Sequence, residues 1–185
     1  VRQQVGVTDI AANAVYVGLE HFDRERLWLQ RFGVGGDVTS AKNIFEAGDT
    51  LFGKLRPYFH KVGVAPTNGV CSTDVLVIRA LERMNRWLVA AASSSAEAIA
   101  RAVQNSNGTR MPRAKWEDIA DLVVPDPGSR EAMTFEGLAE SLGKRCFAAV
   151  AENETLTKTR DELLPLLMSG KITVKDAEKR VEGVV

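Results

Sequence analysis

The sequence predicts an α+β protein, in which a strand-rich part with short helices is followed by a long C-terminal helix. Two observations predict this class. Up to about residue 80, short β-branched, aromatic or alternating runs are separated by glycine turns, as in a curved, mostly antiparallel sheet or a small barrel. Apolar residues then recur at intervals of three and four over residues 130–164, which is typical of one long helix.

Several runs in the first part are candidate strands, because β-branched and aromatic side chains suit the pleated surface of a sheet. A turn cluster at residues 33–37 separates two of them. We expect strands at residues 14–17, 27–32, 50–55, 61–65 and 73–78, and a closing strand at residues 121–124.

From Leu81 onward the periodicity becomes helical, until three serines interrupt it. One of these serines is expected to cap a second helix at residues 96–104, because a serine oxygen accepts hydrogen bonds from free backbone N–H groups. A short helical turn is expected at residues 115–119, and PDPG at residues 125–128 is the clearest boundary. We therefore expect the chain to divide into three parts, a domain at residues 1–127, the long helix at residues 128–170 and a C-terminal tail at residues 171–185.

The long helix carries an apolar seam that indicates a coiled coil with a partner helix. At about 1.5 Å per residue it would extend roughly 50 Å, more than its own domain needs. Pro165 and Gly170 are expected to end it, and a short amphipathic helix is expected within residues 173–185. The seam consists of Phe135, Leu138, Leu142, Cys146, Ala149, Asn153, Leu156, Arg160, Leu163 and Leu167.

The 24 Lys and Arg residues of this 185-residue chain balance its 24 Asp and Glu residues. A sequence-independent nucleic-acid binder is normally basic, so this balance argues against one but allows recognition by a few loops. No apolar run approaches the length of about 18 residues that suggests a membrane span. The start also lacks a basic region followed by an apolar core. We therefore expect a cytoplasmic protein without membrane contact.

Residues 105–116 (NSNGTRMPRAKW) contain three cations and no acidic residue. Glycine and proline favour an irregular loop here, which keeps backbone and guanidinium donors exposed to an anionic partner. Arg110 and Arg113 suit bidentate contact with phosphate or guanine. Composition alone also fits an ordinary surface turn before a short helix.

No pattern predicts catalysis or a metal site in this chain. Cys71 and Cys146 fit no metal-ligand spacing and are expected to be small buried side chains. His21 and His60 lack persuasive orienting neighbours for a nucleophilic site. The run FGVGG at residues 32–36 is not followed by the helix of a nucleotide site, so we expect a hairpin turn there. Nuclease and amino-methyltransferase motifs are absent from the sequence.

Four segments, taken in order, resemble the specificity subunits of type I restriction-modification enzymes. Residues 16–21 (YVGLEH) are similar to the start of a target recognition domain in that family. The next segments are residues 48–58 (GDTLFGKLRPY) and 69–74 (GVCSTD), and the fourth is the helical stretch at residues 152–172. The resemblance extends over residues 15–172.

The resemblance implies a target recognition (DNA-binding) domain followed by a conserved long helix. Specificity subunits of this family hold two recognition domains, and two long helices pair antiparallel to fix the distance between the halves of a split DNA site. They are non-catalytic. Modification (M) subunits carry S-adenosylmethionine and methylate adenine, and a restriction (R) subunit joins for cleavage. The implied partners are double-stranded DNA and these subunits, with no cofactor and no metal in this chain.

The resemblance also makes basic and polar residues of turns candidate DNA contacts, because loops commonly present functional groups. Lys54, Arg56, Arg110 and Arg113 are favoured most, whereas Lys42 and Lys61 also fit simple solvated cations. The complete set of candidates is Lys42, Lys54, Arg56, Tyr58, Lys61, Asn107, Thr109, Arg110, Arg113 and Lys115.

Only one recognition domain and one long helix are present, where the family has two of each. The chain is expected to be either half of a longer protein or a natural half-subunit. A half-subunit predicts a homodimer through antiparallel pairing of residues 130–164, which would present two identical domains to a palindromic, interrupted site. The expected dimer or partner face consists of Phe135, Leu138, Leu142, Ala149, Asn153, Leu156 and Leu163.

Two other functions stay open at this point. The chain could be the recognition domain of a fused restriction-methyltransferase, which binding of S-adenosylmethionine by the chain alone would favour. It could instead be a protein-interaction module that uses only the long helix. DNA-binding assays with and without a modification subunit separate these cases.

Overall fold

The computed structural model describes residues 1–106 and 111–182. The chain divides into two compact units, Val1–Gly143 and Lys144–Val185. The first unit contains the strands and the short helices, and the second is helical. The fold class is therefore the predicted one, whereas the predicted functional limits at residues 127 and 170 remain predictions.

Two sheets make up the strand-rich part of the first unit. The strands of the described residues are β1 (Gln4–Val5), β2 (Val15–Val17), β3 (Gly33–Val34), β4 (Lys42–Phe45), β5 (Thr50–Gly53), β6 (Val62–Val64), β7 (Gly69–Cys71) and β8 (Val75–Ile78). One sheet has the order β1-β4-β7-β2-β3, with β2 and β7 parallel and the other pairs antiparallel. The other is antiparallel, with β5 between β6 and β8.

Helices follow and connect these strands. Short 3-10 helices occur at Val7–Asp9, Leu19–His21, Gly35–Asp37, Pro57–Phe59 and Arg83–Asn85. The α-helices are α1 (Arg86–Ser93), α2 (Ala96–Gln104), α3 (Glu117–Ala120), α4 (Arg130–Met168) and α5 (Val174–Glu182). Ser95 caps α2 as predicted, since its Oγ accepts a hydrogen bond from the Ala98 N–H at 3.1 Å.

Strand β5 is buried along its whole length, because a hydrophobic cluster lies on each of its faces. Leu51 packs in one cluster with Phe45, while Phe52 packs in the other with Ala102 of α2. Full burial of a side chain of this size contributes about 1.5–3 kcal/mol relative to exposure. The central strand thus ties the sheets to the short helices that follow.

Part of the 48–58 segment serves the fold. Gly48 has a φ of 90°, which glycine adopts without strain, in the turn before β5. The buried Asp49 carboxylate accepts a hydrogen bond from the Glu46 N–H at 2.7 Å. It also pairs with Arg79 at 2.7 Å, which raises the pKa of that guanidinium. Asp49 therefore fixes the β4–β5 turn against β8.

Two predicted strands are wrong. Residues 27–32 make only an isolated bridge, between Trp28 and Val64, and their apolar residues are instead anchors of a loop. Leu29 is buried against Gly63, where an added Cβ would lie 2.8 Å from the leucine side chain. Residues 121–124 form no strand, and Leu122 and Val124 instead line an apolar groove.

The start of α4 is tied to α1 within the first unit. The Glu136 carboxylate accepts hydrogen bonds from the backbone N–H groups of Trp87 at 3.3 Å and Leu88 at 2.6 Å. Glu140 accepts a hydrogen bond from the Trp87 indole Nε1 at 2.8 Å and pairs with Arg86. A glutamate at the positive N-terminal end of a helix is stabilising, so Glu136 acts as a cap for α1 supplied by another helix.

Of the two residues predicted to end the long helix, Pro165 does not do so. Pro165 lies inside α4, which continues to Met168. A proline this close to the C-terminus removes one N–H donor without stopping the helix. Gly170, with a φ of 70°, ends it as predicted, and the Lys171 N–H donates to the Leu166 carbonyl at 3.0 Å. No helix in the described ranges is both long enough and apolar enough to cross a membrane.

Candidate nucleic-acid interface

The structure brings together two predicted segments that are far apart in the sequence. Leu55 and Arg113 form an antiparallel bridge beyond the end of β5. On its two sides, the Arg56 N–H donates to the Pro112 carbonyl at 2.8 Å and the Ala114 N–H donates to the Lys54 carbonyl at 3.0 Å. The KLRPY end of residues 48–58 and the described part of the cationic loop thus form one surface, termed the recognition surface below (residues 54–58 and 111–116).

Asp74 joins this surface from the third predicted segment. Its carbonyl accepts a hydrogen bond from the Lys54 N–H at 2.8 Å, and its own N–H donates to the Ser72 Oγ at 3.2 Å. The Oδ1 atom accepts a hydrogen bond from Arg113 Nε at 3.0 Å, which raises the pKa of the Arg113 guanidinium. The Arg113 side chain is braced by this bond yet remains 46% exposed.

A strained turn presents Tyr58 at one end of this surface. The 3-10 helix Pro57–Phe59 lies between Arg56 and His60, both in the left-handed conformation with φ near 50°. Pro57 is buried, whereas Tyr58 is 52% exposed, and its ring meets the Phe59 ring in an edge-to-face arrangement with 4.7 Å between the centroids. An exposed aromatic ring on a rigid turn is suited to polar or stacking contacts with nucleic acid.

Cations collect beside this turn. The Arg24 guanidinium lies 4.1 Å from the centroid of the Phe59 ring. Lys61 donates from Nζ to the Leu19 carbonyl at 2.6 Å, and its pKa is lowered by burial and then by the charge of Arg24. The predicted candidates did not include Arg24 or Asp74, since each acts through contacts distant in sequence that no local pattern reveals.

The other candidates are placed differently. Lys42 is only 6% exposed, and its Nζ donates to the Ser40 carbonyl at 2.7 Å and to the Ser40 Oγ at 2.8 Å, so its charge serves the fold. Lys54 and Arg56 are half-buried, and Lys115 is exposed beside an exposed Trp116. The candidates that lie outside the described residues are Asn107, Thr109 and Arg110.

The histidines and the buried cysteine take part in structural contacts. Burial raises the pKa of the Cys71 thiol to about 12, so the thiol stays neutral and unreactive. His21 Nδ1 accepts a hydrogen bond from the Gly18 N–H at 2.9 Å, and His60 Nε2 donates to the Ser94 carbonyl at 2.9 Å. Within residues 1–106 and 111–182, no group of three or more His, Cys, Asp or Glu could hold a metal ion.

The predicted partner face on α4 is partly exposed. Its large apolar side chains in the first unit, those of Phe135, Leu138 and Leu142, are all exposed. In the second unit Ala149, Asn153 and Leu156 are exposed. Leu163 differs from the expectation of an unpaired seam residue. It is buried and lines an apolar groove with Ala177 of α5.

Comparison with curated proteins finds a relative in Escherichia coli, although no protein-family profile matches the chain. The EcoDI specificity subunit of a type I restriction enzyme is 26% identical over 152 residues, which cover 75% of this chain and 32% of that protein. The chain thus spans about a third of the curated relative's length.

Comparison with solved structures finds the same fold. A chain from a structure of the complex assembly and conformational transition of the type I R-M system has a TM-score of 0.57 at 18% identity, covering 89% of this chain and 49% of that chain. The HsdS subunit from Thermoanaerobacter tengcongensis has a TM-score of 0.54 at 18% identity, covering 90% and 47%. Sequence and fold together confirm that this chain resembles the specificity subunits of type I restriction enzymes.

Proposed function

We propose that this chain is a non-catalytic DNA-recognition subunit of a type I restriction-modification complex. The observation that carries the proposal is the 26% identity to the EcoDI specificity subunit across 75% of the chain. The shared fold supports it, and so does the convergence of three predicted segments on one recognition surface. A neutral chain with one local cationic surface suits sequence-dependent recognition better than general DNA binding.

In this proposal the recognition surface reads base edges of double-stranded DNA. Arg113 is the leading candidate, because an arginine can donate two hydrogen bonds to guanine O6 and N7 in the major groove. Asp74 holds the Arg113 side chain from Nε, which limits its rotation before DNA arrives. Lys115 and Tyr58 are exposed on the same surface and would add phosphate contacts.

We further propose that partner subunits supply the chemistry. Modification subunits would bind S-adenosylmethionine and methylate adenine in a bipartite site, and a restriction subunit would join them for cleavage in the cytoplasm. The chain itself would need no cofactor for its part, because reading a sequence takes only hydrogen-bond donors and acceptors placed by the fold.

As a half-subunit, this chain would supply one recognition domain, and two copies would complete a two-domain specificity unit. The chain spans 49% and 47% of the two similar structures. Leu138 and Leu142 expose apolar side chains that an antiparallel partner helix would cover. Such a dimer presents two identical recognition domains related by a two-fold axis, so its DNA site would be palindromic and interrupted.

Selection from random DNA tests this proposal. The chain, combined with the modification subunit of its own system, should enrich one bipartite sequence, and the chain with Arg113→Ala should enrich a relaxed version of it. The modification subunit alone is the control and should enrich nothing. Enrichment of the same sequence by the modification subunit without this chain would overturn the proposal.

A further inference from the structure

The turn that carries Tyr58 concentrates unusual backbone geometry. In the described ranges, the non-glycine residues with positive φ are Glu25, Arg56 and His60, with φ of 59°, 53° and 49°. All three meet at the Pro57–Phe59 turn, since Glu25 donates its backbone N–H to the His60 carbonyl at 3.0 Å. Left-handed residues other than glycine persist only where the surrounding structure holds them, and they cluster at functional sites.

Several contacts hold this turn in place. The Arg56 N–H donates to the Pro112 carbonyl at 2.8 Å, and the His60 side chain donates to the Ser94 carbonyl at 2.9 Å. Pro57 fixes its own φ and is buried. The Phe59 ring is therefore a rigid platform, to which the Glu25–His60 hydrogen bond fastens the neighbouring loop.

Two cations are arranged around the Phe59 ring. The guanidinium carbon of Arg24 lies 4.1 Å from the ring centroid, and the Lys61 Nζ lies 6.0 Å from it. Both distances are within the range of cation–π attraction. Arg24 is exposed, whereas Lys61 is half-buried and tied to the Leu19 carbonyl. Like charges are thus held close together, which concentrates positive potential where Arg24 meets solvent.

Acidic groups near this pair cancel only part of the charge. Asp23 pairs with Arg31 at 2.9 Å, and Glu20 lies beside His21 at 3.9 Å. The charges of Arg24 and Arg31 both lower the pKa of Lys61, after the larger effect of burial, while Glu20 and Asp23 act in the opposite direction. Burial is the largest cause of the lowered pKa of Lys61, and the three positive charges of Arg24, Arg31 and Lys61 itself face the two negative charges of Glu20 and Asp23.

We propose that Arg24, held on the Phe59 ring and supported by Lys61, contacts a backbone phosphate of the DNA next to the bases read by the recognition surface. This inference rests on the proposed function and adds a residue that fixes the position of the protein along the DNA. A guanidinium held by a ring keeps its N–H edges free for two parallel hydrogen bonds to phosphate oxygens. Phosphate contacts position a protein on the duplex without reading sequence.

Binding titrations over a range of salt concentrations test the phosphate contact. Arg24→Gln should weaken binding to the selected DNA and to a scrambled duplex by the same factor, and should reduce the slope of log affinity against log salt by about 1. Phe59→Leu keeps the charge but removes the platform, so it should weaken both duplexes to a smaller extent. Arg83→Gln is the matched control, because it removes one exposed arginine elsewhere and should leave the slope unchanged.

The possible outcomes separate this inference from the proposed function. If log affinity has the same slope against log salt for Arg24→Gln as for Arg83→Gln, the phosphate contact is overturned. The proposed function still stands in that case, provided that the wild type discriminates between the two duplexes. A loss confined to the selected DNA would overturn it in favour of base reading by Arg24. Stabilisation of the wild type by millimolar inorganic phosphate alone would assign the site to a free anion. If the wild type fails to discriminate the two duplexes, the proposed function fails even where the slopes differ.

Discussion

Arg113 Nε donates a hydrogen bond to Asp74 Oδ1 at 3.0 Å, and this bond joins two segments that lie 39 residues apart in the sequence. The Arg113 side chain is therefore braced and 46% exposed at the same time. The sequence alone left open whether this arginine faces a ligand or supports its loop. In the structure Arg113 does support the loop, and its exposed part remains available to a partner.

Conservative replacement of Arg113 should separate these two roles. Arg113→Lys keeps a cation near Asp74 but loses the planar fork, so discrimination between selected and scrambled DNA should fall by about 10- to 100-fold with little change in thermal stability. Asp74→Asn keeps an acceptor for Nε and should cause a smaller loss in the same direction. Competition binding measures both. Equal affinity of Arg113→Lys and wild type for both duplexes would assign the residue to bracing alone.

The sequence predicted the main elements but not how side chains connect them. Strand β5, helix α2 with its Ser95 cap and the long helix follow from local patterns, which is why they were found. Residues 27–32 were predicted as a strand from their apolar side chains. In the structure Trp28 and Leu29 anchor a loop, and apolar residues that anchor a loop give a sequence pattern similar to that of a strand.

The site was predictable only in part, for the same reason. Motifs located the segments around Lys54 and Arg113, but their pairing through Leu55 is a long-range contact. The stacking of Arg24 on Phe59 and the capping of α1 by Glu136 join residues more than 30 positions apart, and no periodicity encodes such contacts.

Acid should destabilise the first unit through His21. Burial lowers the pKa of His21 in the folded chain, and its Nδ1 must be unprotonated to accept the Gly18 N–H. His21 therefore binds a proton more readily in the unfolded chain than in the folded one. The contribution of neutral His21 to the stability of the fold is complete above the ordinary pKa of about 6.5 and is lost as the pH falls below that value. Urea unfolding at pH 7.5 and 5.5 measures this loss.

The variant His21→Asn supplies the control for that measurement. Asparagine offers a carbonyl oxygen to the Gly18 N–H but does not titrate, so the difference in free energy of unfolding between the two pH values should shrink. A wild-type difference no larger than that of His21→Asn would show that His21 does not cause the acid sensitivity.

Replacement by alanine should have opposite effects on stability at two glycines of α4. A Cβ at Gly143 would clash with the Trp87 ring, so Gly143→Ala should destabilise the first unit by about 1–3 kcal/mol through overpacking. A Cβ at Gly137 meets nothing within 4 Å, so Gly137→Ala should stabilise the helix by up to about 1 kcal/mol. Urea unfolding gives the free energy of unfolding of both variants, and an equal change in the two would refute the packing of Gly143 on Trp87.

The proposed dimer should depend on the exposed leucines of α4. Leu138→Glu combined with Leu142→Glu should convert a dimer to a monomer at micromolar concentration, because carboxylates without a cationic partner are costly to bury in an apolar seam. Ser141→Glu places a charge on the same helix outside that seam and should leave the dimer intact. Light scattering gives the mass directly. A wild-type monomer at micromolar concentration would rule out the pairing.

Methylome sequencing tests most directly whether this chain confers sequence specificity on a methylating complex. Cells that carry the chain together with the modification subunit of its own system should show adenine methylation at one interrupted, palindromic sequence, and Arg113→Ala should relax or abolish that sequence. Cells with the modification subunit alone should show none of it. Methylation at the same sequence without this chain, or a sequence unaffected by every change on the recognition surface, would contradict the account.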